Sequence, residues 1–263
     1  MLKKYKYYEE KNIHLYLGDS IEILKKIEEN SVDMIFADPP YGLSNNGITC
    51  QNGKMVSVNK GEWDKSNGIE EDFEFHNKWI KSCKRVLKPN GTIWISGTYH
   101  SIYACGFALQ KNGFKILNDI VWYKPNASPN LSCKYFTASH ETILWAIKNS
   151  NEKHTFNYEV MKNGNWHEKD IIKNEGKQMR SVWSIPTPSK TEKEFGKHPT
   201  QKPLKLLERI ILSSTNENDL ILDPFTGSST TGVISKKYNR TFIGIDSSKE
   251  YLELSKNRIQ AVN

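Results

Sequence analysis

The chain has 263 residues, a length that suits one large α/β domain with an insertion, or one large domain and a small one. Its hydrophobic fraction is 37% and no apolar run approaches the roughly 18 residues of a membrane span, so we expect a cytoplasmic protein without a membrane partner. The net charge of +7 favours a polyanionic partner, although a lysine-rich surface that only keeps a protein soluble gives the same value.

Strands and helices are predicted to alternate through the first 148 residues. Strands at 13–17 and 32–37 each lead into a loop with an aspartate, Asp19 or Asp38, and Ser20 is the expected N-cap of the first helix. The elements predicted next are, in order, a helix through 73–83, a strand at 92–96, a helix at 101–111 and strands at 114–123 and 141–148. The last two strands are expected to form an antiparallel hairpin at the edge of the sheet.

Two polar segments interrupt this pattern. Residues 42–67 are rich in Gly, Asn, Ser and Lys, and we expect them to form a flexible cover, without regular structure, over a pocket that begins at Tyr41. Residues 149–197 are polar, hold scattered aromatic residues and show no sustained period. They are expected to be an insertion with a function of its own, although a surface elaboration without specific function has the same composition.

The alternating pattern resumes after the insertion. The segment His198–Pro203 precedes an amphipathic helix, and Pro203 is its expected first residue. The elements expected after this helix are, in order, a strand at 219–222, a loop at 223–232 that leads into a helix, a strand at 241–246 and a closing helix. Mostly apolar strands that alternate with helices predict a doubly wound, mostly parallel sheet with helices on both faces.

The segment Asp38-Pro39-Pro40-Tyr41 ends the strand at 32–37 in a rigid loop. Pro39 disfavours the helical region for Asp38, and two consecutive prolines contribute carbonyl groups but no N–H donors. A pocket that offers only acceptors and ends in an aromatic ring suits a flat group with an amino substituent, although Asp-Pro is also a common start of a turn.

A second loop with an acid-proline start, Asp223–Gly227, has the features of a cofactor site. Asp246 ends the next strand nineteen residues after Gly227, close to the spacing of about 20 at which an acid binds a ribose. The loop has neither the G-x-G-x-x-G pattern nor a phosphate-binding lysine, so the expected ligand is a nucleoside without a polyphosphate. S-adenosylmethionine fits that description.

The polar residues near this loop suggest how each part of the cofactor would be held. Asp246 would bind the ribose and Asp19 the adenine. Asp223, Thr200 and Lys202 are available for the amino-acid end, with Lys202 suited to the carboxylate. An aspartate at the position of Asp246 also often only caps the following helix.

Three motifs, Asp38–Tyr41, His198–Pro203 and Asp223–Ser228, together resemble the DNA amino-methyltransferases of the beta class, in the same order and over nearly the whole chain. A tetrapeptide that begins with Asp is typical of adenine N6 enzymes, and one that begins with Ser is typical of cytosine N4 enzymes. The resemblance is therefore to the adenine enzymes of bacterial restriction-modification systems. It implies a seven-stranded Rossmann-like methyltransferase sheet, S-adenosylmethionine as the cofactor, and double-stranded DNA as the substrate, whose target base is flipped out.

The resemblance also implies roles for parts of the chain and for single residues. The parts are a catalytic half at 1–148, a target-recognition insertion at 149–197 and a cofactor-binding half at 198–263. The catalytic residues would be Asp38, Pro39, Pro40 and Tyr41. The cofactor-binding residues would be Asp19, His198, Thr200, Lys202, Asp223, Phe225, Gly227, Ser228, Thr230, Asp246 and Ser247. The family usually has glycine at position 229, and a left-handed backbone there would strain Ser229 and put cofactor affinity in doubt.

Readout of the DNA sequence is expected from residues 149–197 and 42–67. Arg180 is the only arginine of the insertion and is a candidate for a bidentate guanine contact, although a phosphate contact or a surface charge would explain it equally well. Further candidates for DNA contact are Lys177, Lys54 and Lys60. The sequence leaves open whether the chain forms a homodimer and whether a cognate restriction endonuclease accompanies it.

Other functions share part of this pattern. Closely related activities are methylation of cytosine N4, of RNA bases or of protein glutamine. A nicotinamide-dependent oxidoreductase shares the sheet and the ribose-binding acid, but it normally has the G-x-G-x-x-G loop, and a catalytically silent nucleic-acid binder would have no use for an intact tetrapeptide. The four cysteines have no C-x-x-C pair and do not cluster with the seven histidines, so we expect free thiols and no metal site.

Overall fold

The computed structural model describes residues 2–42, 48–51, 54–57, 68–164, 166 and 177–262, and for 48–51 and 54–57 it describes the backbone alone. The strands are β1 (Lys6–Glu10), β2 (Ile13–Leu17), β3 (Val32–Ala37), β4 (Ile48–Gln51), β5 (Lys54–Ser57), β6 (Leu87–Gly97), β7 (Lys115–Tyr123), β8 (His140–Ile147), β9 (Val182–Ser184), β10 (Leu220–Asp223) and β11 (Thr241–Asp246). The helices are α1 (Ser20–Leu24), α2 (Ile69–Val86), α3 (Ile102–Lys111), α4 (Tyr158–Asn163), α5 (Leu204–Ser214), α6 (Thr230–Lys237) and α7 (Lys249–Gln260).

Nine strands form one sheet, in the order β1-β2-β11-β10-β3-β6-β8-β7-β9. The central strands β2, β11, β10, β3 and β6 are parallel to one another. Parallel neighbours need a crossover, which here contains a helix, and this places helices on both faces of the sheet. The prediction of a doubly wound, mostly parallel sheet is confirmed.

The core consists of two apolar layers, one on each face of the sheet. One layer packs side chains of α1, α2 and α3 against the strands, among them Leu24, Trp79 and Ala108. The other layer packs α5, α6 and α7, which contribute residues such as Leu207 and Ile234. The apolar strands are buried because both of their faces are covered.

The predicted number of strands, seven, is wrong, because a short strand adds to each edge of the sheet. The strand β1 is antiparallel to β2, and its sequence KYYEE has no apolar face that would mark it as a strand. The strand β9 has only three residues and pairs with β7. The β7–β8 hairpin is antiparallel as predicted, but β9 places it one strand inward from the edge.

Both polar segments contain regular structure where they are described. The strands β4 and β5 pair as an antiparallel hairpin, which corrects the expectation that 42–67 is without structure. The rest of the expected cover lies outside the described residues. The expected insertion at 149–197 contains α4, and β9 near its end belongs to the main sheet.

Two helix ends differ from prediction. The N-cap of α1 is Asp19, whose side chain accepts a hydrogen bond from the backbone N–H of Glu22, so the assignment of this role to Ser20 is wrong. Pro203 is the N-cap of α5 and does not lie within the helix. Within the described ranges, no helix combines the length and the apolar character that a membrane span requires.

Candidate active site

The two acid-proline loops follow neighbouring central strands, at the carboxyl ends of both. Residues Ile221 and Leu222 of β10 pair in parallel with Met34 and Ile35 of β3. The chain continues from β3 to β6 on one side and from β10 to β11 on the other, so the order of connection reverses between these two strands. Ligands of open α/β sheets bind at such a switch point, beyond the carboxyl ends of the strands.

A cavity of about 730 Å³ lies at this point and contains nearly all of the predicted site residues. Pro39 is the only predicted catalytic or cofactor residue that does not line it. The predicted residues in its wall are Asp19, Asp38, Pro40, Tyr41, His198, Thr200, Lys202, Asp223, Phe225, Gly227, Ser228, Thr230, Asp246 and Ser247. The volume is within the range of small-molecule sites, and the wall mixes apolar and polar groups as such sites do.

Asp38 receives hydrogen bonds on both carboxylate oxygens. The ammonium of Lys202 lies 2.5 Å from Oδ2, and the hydroxyl of Tyr41 donates to Oδ1. Lys202 also donates to the carbonyl of Thr200 at 3.4 Å. Lys202 was expected at the carboxylate of the cofactor, but its ammonium lies instead against the acid of the tetrapeptide.

Glu141, which the sequence analysis missed, completes this group. It lies at the start of β8, is 7% exposed, and its Oε2 accepts from the hydroxyl of Ser96 at 3.1 Å. The same oxygen lies 3.2 Å from the hydroxyl of Tyr41, whose one proton is donated to Asp38. Its Oε1 accepts from the ammonium of Lys124 at 2.5 Å, while Lys202 lies 3.5 Å from Oε2. The available signal was a carboxylate at the start of the mostly apolar strand β8, with Lys124 directly after the strand that pairs with it.

The side chains of Asp38, Lys202, Glu141 and Lys124 form a row of charges that alternate in sign. Burial raises the pKa of Asp38, although the attraction of Lys202 acts in the opposite direction. Burial would also raise the pKa of Glu141, but the ammonium groups of Lys202 and Lys124 outweigh it and lower the pKa to about 2. For Lys202, the carboxylates of Asp38 and Glu141 outweigh burial and raise the pKa. Lys202 and Glu141 are therefore charged at neutral pH.

Asp246 lies at the end of β11 as predicted, and both of its oxygens accept from backbone N–H groups. Gly227 donates to Oδ2 at 2.9 Å and Ser248 donates to Oδ1 at 2.8 Å. Each oxygen of a carboxylate has a further lone pair, so both can accept again from the hydroxyls of a ribose. The N-cap of α7 is Ser248, so Asp246 does not itself cap that helix.

The loop between β10 and α6 has the tight geometry that its small residues allow. Gly227 has a φ of 50°, and a Cβ there would meet the ring of His198 at 2.9 Å, so only glycine fits. Ser229 has a φ of 53° and a ψ of 44°, the left-handed conformation that its sequence position predicted. The ring of His198 packs edge-on against Tyr251, with 4.3 Å between the centroids.

Asp223 is buried at the bottom of the same loop. Its Oδ2 accepts from the hydroxyl of Thr231 at 2.6 Å and its Oδ1 from the backbone N–H of Phe225 at 3.1 Å. Burial raises its pKa to about 7, because these two donors compensate only part of the lost hydration. Asp19 also lines the cavity, although one of its oxygens serves as the cap of α1.

The predicted DNA contacts lie outside the cavity or outside the described side chains. Arg180 and Lys177 are exposed and do not line the cavity. Lys54 lies in β5, where only the backbone is described, and Lys60 lies outside the described residues. Among the described residues, no cluster of His, Cys, Asp and Glu is arranged to hold a metal ion.

Comparisons with known proteins agree on one family. A family model described as DNA methylase matches residues 32–257. The Type II methyltransferase M2.LlaDCHI of Lactococcus lactis subsp. cremoris is 56% identical over 254 residues, which cover 96% of this chain and 91% of that protein. The Type II methyltransferase M2.DpnII of Streptococcus pneumoniae is 55% identical over 258 residues, 98% of this chain and 93% of that protein.

Solved structures resemble the fold over the same extent. The crystal structure of the M1.HpyAVI–SAM complex is 33% identical with a TM-score of 0.67, covering 94% of this chain and 98% of that one. The PvuII DNA methyltransferase, described as cytosine-N4-specific, has a TM-score of 0.70 at 21% identity, covering 94% and 86%, and its likeness concerns the fold alone. With a family model over most of its length and relatives that match nearly end to end, the chain belongs to the DNA methylase family.

Proposed function

We propose that this DNA methylase transfers a methyl group from S-adenosylmethionine to the N6 amino group of adenine in a specific sequence of double-stranded DNA. The observation that carries the proposal is that the loop Asp38–Tyr41 and the loop Asp223–Ser228 line one cavity at the switch point of the sheet. The relatives that are described as Type II methyltransferases support a role in restriction and modification.

The tetrapeptide fits the amino group of a flat base. The amino nitrogen of adenine is a poor nucleophile because its lone pair is delocalised into the ring, and two acceptors that hold its hydrogens would favour a pyramidal nitrogen. The Asp38 carboxylate and the Pro39 carbonyl are the proposed acceptors. Because burial raises the pKa of Asp38, its carboxylate is also the proposed acceptor of the proton that the nitrogen loses.

The residues of the second loop fit the parts of the cofactor, which supplies an electrophilic methyl group when bound. Asp246 keeps lone pairs for the ribose hydroxyls, and Gly227 lets the backbone approach closely. Asp223 offers a buried carboxylate for the amino group of the methionine part. Lys202 is paired with Asp38, so we assign it to the target side and not to the cofactor carboxylate.

Extrusion of the target base is part of the proposal, since a base within a duplex cannot reach a cavity of this depth. Flipping a base out of the stack costs a few kcal/mol. The gain is positional, because fixing the nitrogen in line with the methyl group makes the reaction nearly unimolecular. Tyr41 lines the cavity and is proposed to stack on the extruded base.

We assign recognition of the DNA sequence to the two polar segments of the chain. These are residues 149–197, with Lys177 and Arg180, and residues 42–67, with Lys54 and Lys60. The segments 1–148 and 198–263 would then supply the target side and the cofactor side of the cavity.

The proposal is tested by expressing the chain in a host without DNA methylation and sequencing the genome with a method that reports modified bases. We expect N6-methyladenine at every copy of one short sequence. Modified cytosine N4 in its place, or no modification by a folded protein, would contradict the adenine assignment. The same data would identify the recognised sequence.

The role of Asp38 is tested by Asp38→Ala. We expect kcat to fall by about 100-fold or more, the effect of losing a group that stabilises the transition state, while affinity for S-adenosylmethionine stays close to that of the wild type. Calorimetric titration with the cofactor and a methyl-transfer assay measure the two quantities. Loss of both together, with a lowered melting temperature, would assign Asp38 to folding.

A further inference from the structure

Both carboxylate oxygens of Asp38 carry donors of the protein itself. Lys202 donates to Oδ2 at 2.5 Å and Tyr41 donates to Oδ1. Each oxygen keeps a further lone pair, but an ammonium 2.5 Å from Oδ2 competes for that oxygen and weakens the carboxylate as an acceptor. If Asp38 accepts from the target amino group, as in the proposed function on which this inference rests, the position of this ammonium decides how strongly the base is held.

Lys202 is the charged donor, and a second carboxylate lies close enough to take its ammonium. The Lys202 side chain is 5% exposed, so an ammonium that left Asp38 without another anion nearby would be a buried, unpaired charge, which is strongly unfavourable. Oε2 of Glu141 lies 3.5 Å away, so a short movement of the ammonium brings it into full contact. Tyr41 has a single hydroxyl proton, which can turn from Asp38 toward Glu141 at 3.2 Å, and its oxygen accepts from Lys202 at 3.1 Å. Its side chain is uncharged, so its movement would leave the ammonium of Lys202 on Asp38.

Glu141 is itself held in place for this exchange. Lys124 occupies Oε1 at 2.5 Å, which leaves Oε2 directed toward Lys202, Tyr41 and Ser96. The four charged side chains alternate in sign from Asp38 through Lys202 and Glu141 to Lys124. The exchange therefore moves one ammonium between two carboxylates without changing the net charge of the buried group.

We propose that, before the base enters, the ammonium of Lys202 occupies the place on Asp38 that the target amino group later takes, and that Glu141 is a positioning residue. Glu141 receives the ammonium of Lys202 when the base enters. Glu141 thus acts through Lys202 and does not touch the reacting atoms. It lowers the barrier to entry of the target base, so its effect belongs to DNA binding and base extrusion, and not to cofactor binding.

The main test is Glu141→Gln, a substitution that keeps the shape and removes the charge. Lys202 then has Asp38 as its only nearby anion, so we expect KM for DNA to rise by about tenfold or more while affinity for S-adenosylmethionine is unchanged. A duplex with 2-aminopurine at the target position should show a weaker extrusion signal. Exposed Glu217→Gln is the matched control and should leave both readouts unchanged.

The pH profile separates this role from a structural one. The negative charge of Glu141 raises the pKa of Asp38 and the positive charge of Lys202 lowers it. Glu141→Gln should therefore move the acid limb of kcat/KM to lower pH, and Lys202→Met should move it to higher pH. A substitution that only loosened the fold would not shift the limb in opposite directions for the two residues.

The double variant Glu141→Gln/Lys202→Met is a second test. It removes both charges of the Glu141–Lys202 pair, so neither is left buried without the other, as happens in each single variant. With no ammonium on Asp38, the extrusion signal measured above the acid limb should recover relative to Glu141→Gln alone. Additive losses in the double variant, or an unchanged KM for DNA in Glu141→Gln, would overturn the exchange. An active Asp38→Ala would instead overturn the proposed chemistry itself, so the two failures can be told apart.

Discussion

Ser229 shows how a single residue is accommodated in a backbone conformation that suits glycine. Its left-handed φ of 53° is unfavourable for a residue with a Cβ, by about 1 kcal/mol. The side chain is fully buried, and its Oγ accepts a hydrogen bond from the hydroxyl of Thr226 at 3.0 Å. Gly232 leaves the space beside it, since a Cβ there would lie 2.5 Å from that oxygen. The hydrogen bond offsets part of the backbone strain.

Two substitutions at position 229 separate strain from hydrogen bonding. Ser229→Ala removes the hydroxyl and keeps the Cβ, whereas Ser229→Gly removes both. We expect the glycine variant to be more stable than the alanine variant by about 1 kcal/mol, because only glycine relieves the left-handed backbone. Urea unfolding of the two proteins measures the difference. Equal stabilities would mean that the loop relaxes around alanine without strain.

The raised pKa of Asp223 predicts that both the stability of the protein and its affinity for the cofactor depend on pH. The Asp223 pKa of about 7 in the folded protein exceeds the ordinary value of 3.8, so the folded state binds the proton more tightly than the unfolded state. Stability is therefore favoured at low pH and falls as pH rises from about 4 to about 7. Asp223→Asn should remove this part of the decrease, which thermal unfolding across that range would detect.

Cofactor binding should change in the opposite direction. If ionised Asp223 accepts from the amino group of S-adenosylmethionine, the affinity should increase as pH rises from 6 to 7, and binding should release a proton. Calorimetric titration in buffers of different ionisation enthalpy measures that proton. In Asp223→Asn the affinity should be lower and should vary less with pH, and a wild-type profile in this variant would remove Asp223 from the cofactor site.

At the scale of elements, the three-residue strand β9 connects the polar segment 149–197 to the core. The ring of Trp183 lies 6.3 Å from that of Trp94, and the guanidinium of Arg209 lies 4.7 Å above it. The indole N–H of Trp183 donates to the backbone carbonyl of Arg180 at 2.9 Å. One buried aromatic residue therefore fixes the position of a DNA-contact candidate relative to the sheet.

Removal of this contact should destabilise the whole protein. We expect Trp183→Ala to lower the free energy of unfolding by about 3–5 kcal/mol, the usual effect of deleting a buried tryptophan side chain. Phe136→Ala is the control, because the Phe136 side chain is 97% exposed and its removal should change stability little. Chemical unfolding of both variants measures the difference, and a small effect of Trp183→Ala would mean that β9 is only loosely attached.

The sequence predicts those elements in which burial decides the residue type. The strands β2, β3, β10 and β11 are apolar because helices cover both of their faces, and so their bounds were close to those observed. Edge strand β1 has one partner and consists of lysine, glutamates and half-buried tyrosines, and β9 is too short for a period, so neither could be recognised from composition.

The same limit applies to the candidate site. Residues within the three motifs could be predicted to share a site because each lies in a short segment with a recognisable spacing, and nearly all of them line one cavity. Glu141 lies in β8 and Lys124 directly follows β7, and the register of these two strands brings the pair together. Lys202 meets Glu141 from a distant part of the chain. Pairing across the sheet is a tertiary property, which local patterns do not carry.

At the scale of the whole molecule, the switch point lets two distant parts of the chain share one cavity. The loops after β3 and β10 line this cavity, and the two strands are direct neighbours. In the proposed function the first loop supplies the target side and the second the cofactor side. The chain has a net charge of +7, and the exposed Arg180 and Lys177 lie outside the cavity. Non-specific attraction to DNA and the chemistry of the target base can therefore be altered separately.

The separation predicts different responses to salt. The logarithm of the DNA association constant should fall linearly with the logarithm of the salt concentration, with a slope of about 0.9 for each phosphate neutralised. The association constant for the cofactor should depend on salt only weakly. If Arg180 contacts a phosphate, Arg180→Ala should reduce the slope by about one such unit and weaken all sequences alike. If Arg180 reads a guanine, the slope should stay nearly the same and discrimination should be lost at one position of the site. Binding titrations at several salt concentrations, on the recognised duplex and on single-base variants of it, distinguish the two, and unchanged binding in all of them would exclude Arg180 from the DNA interface.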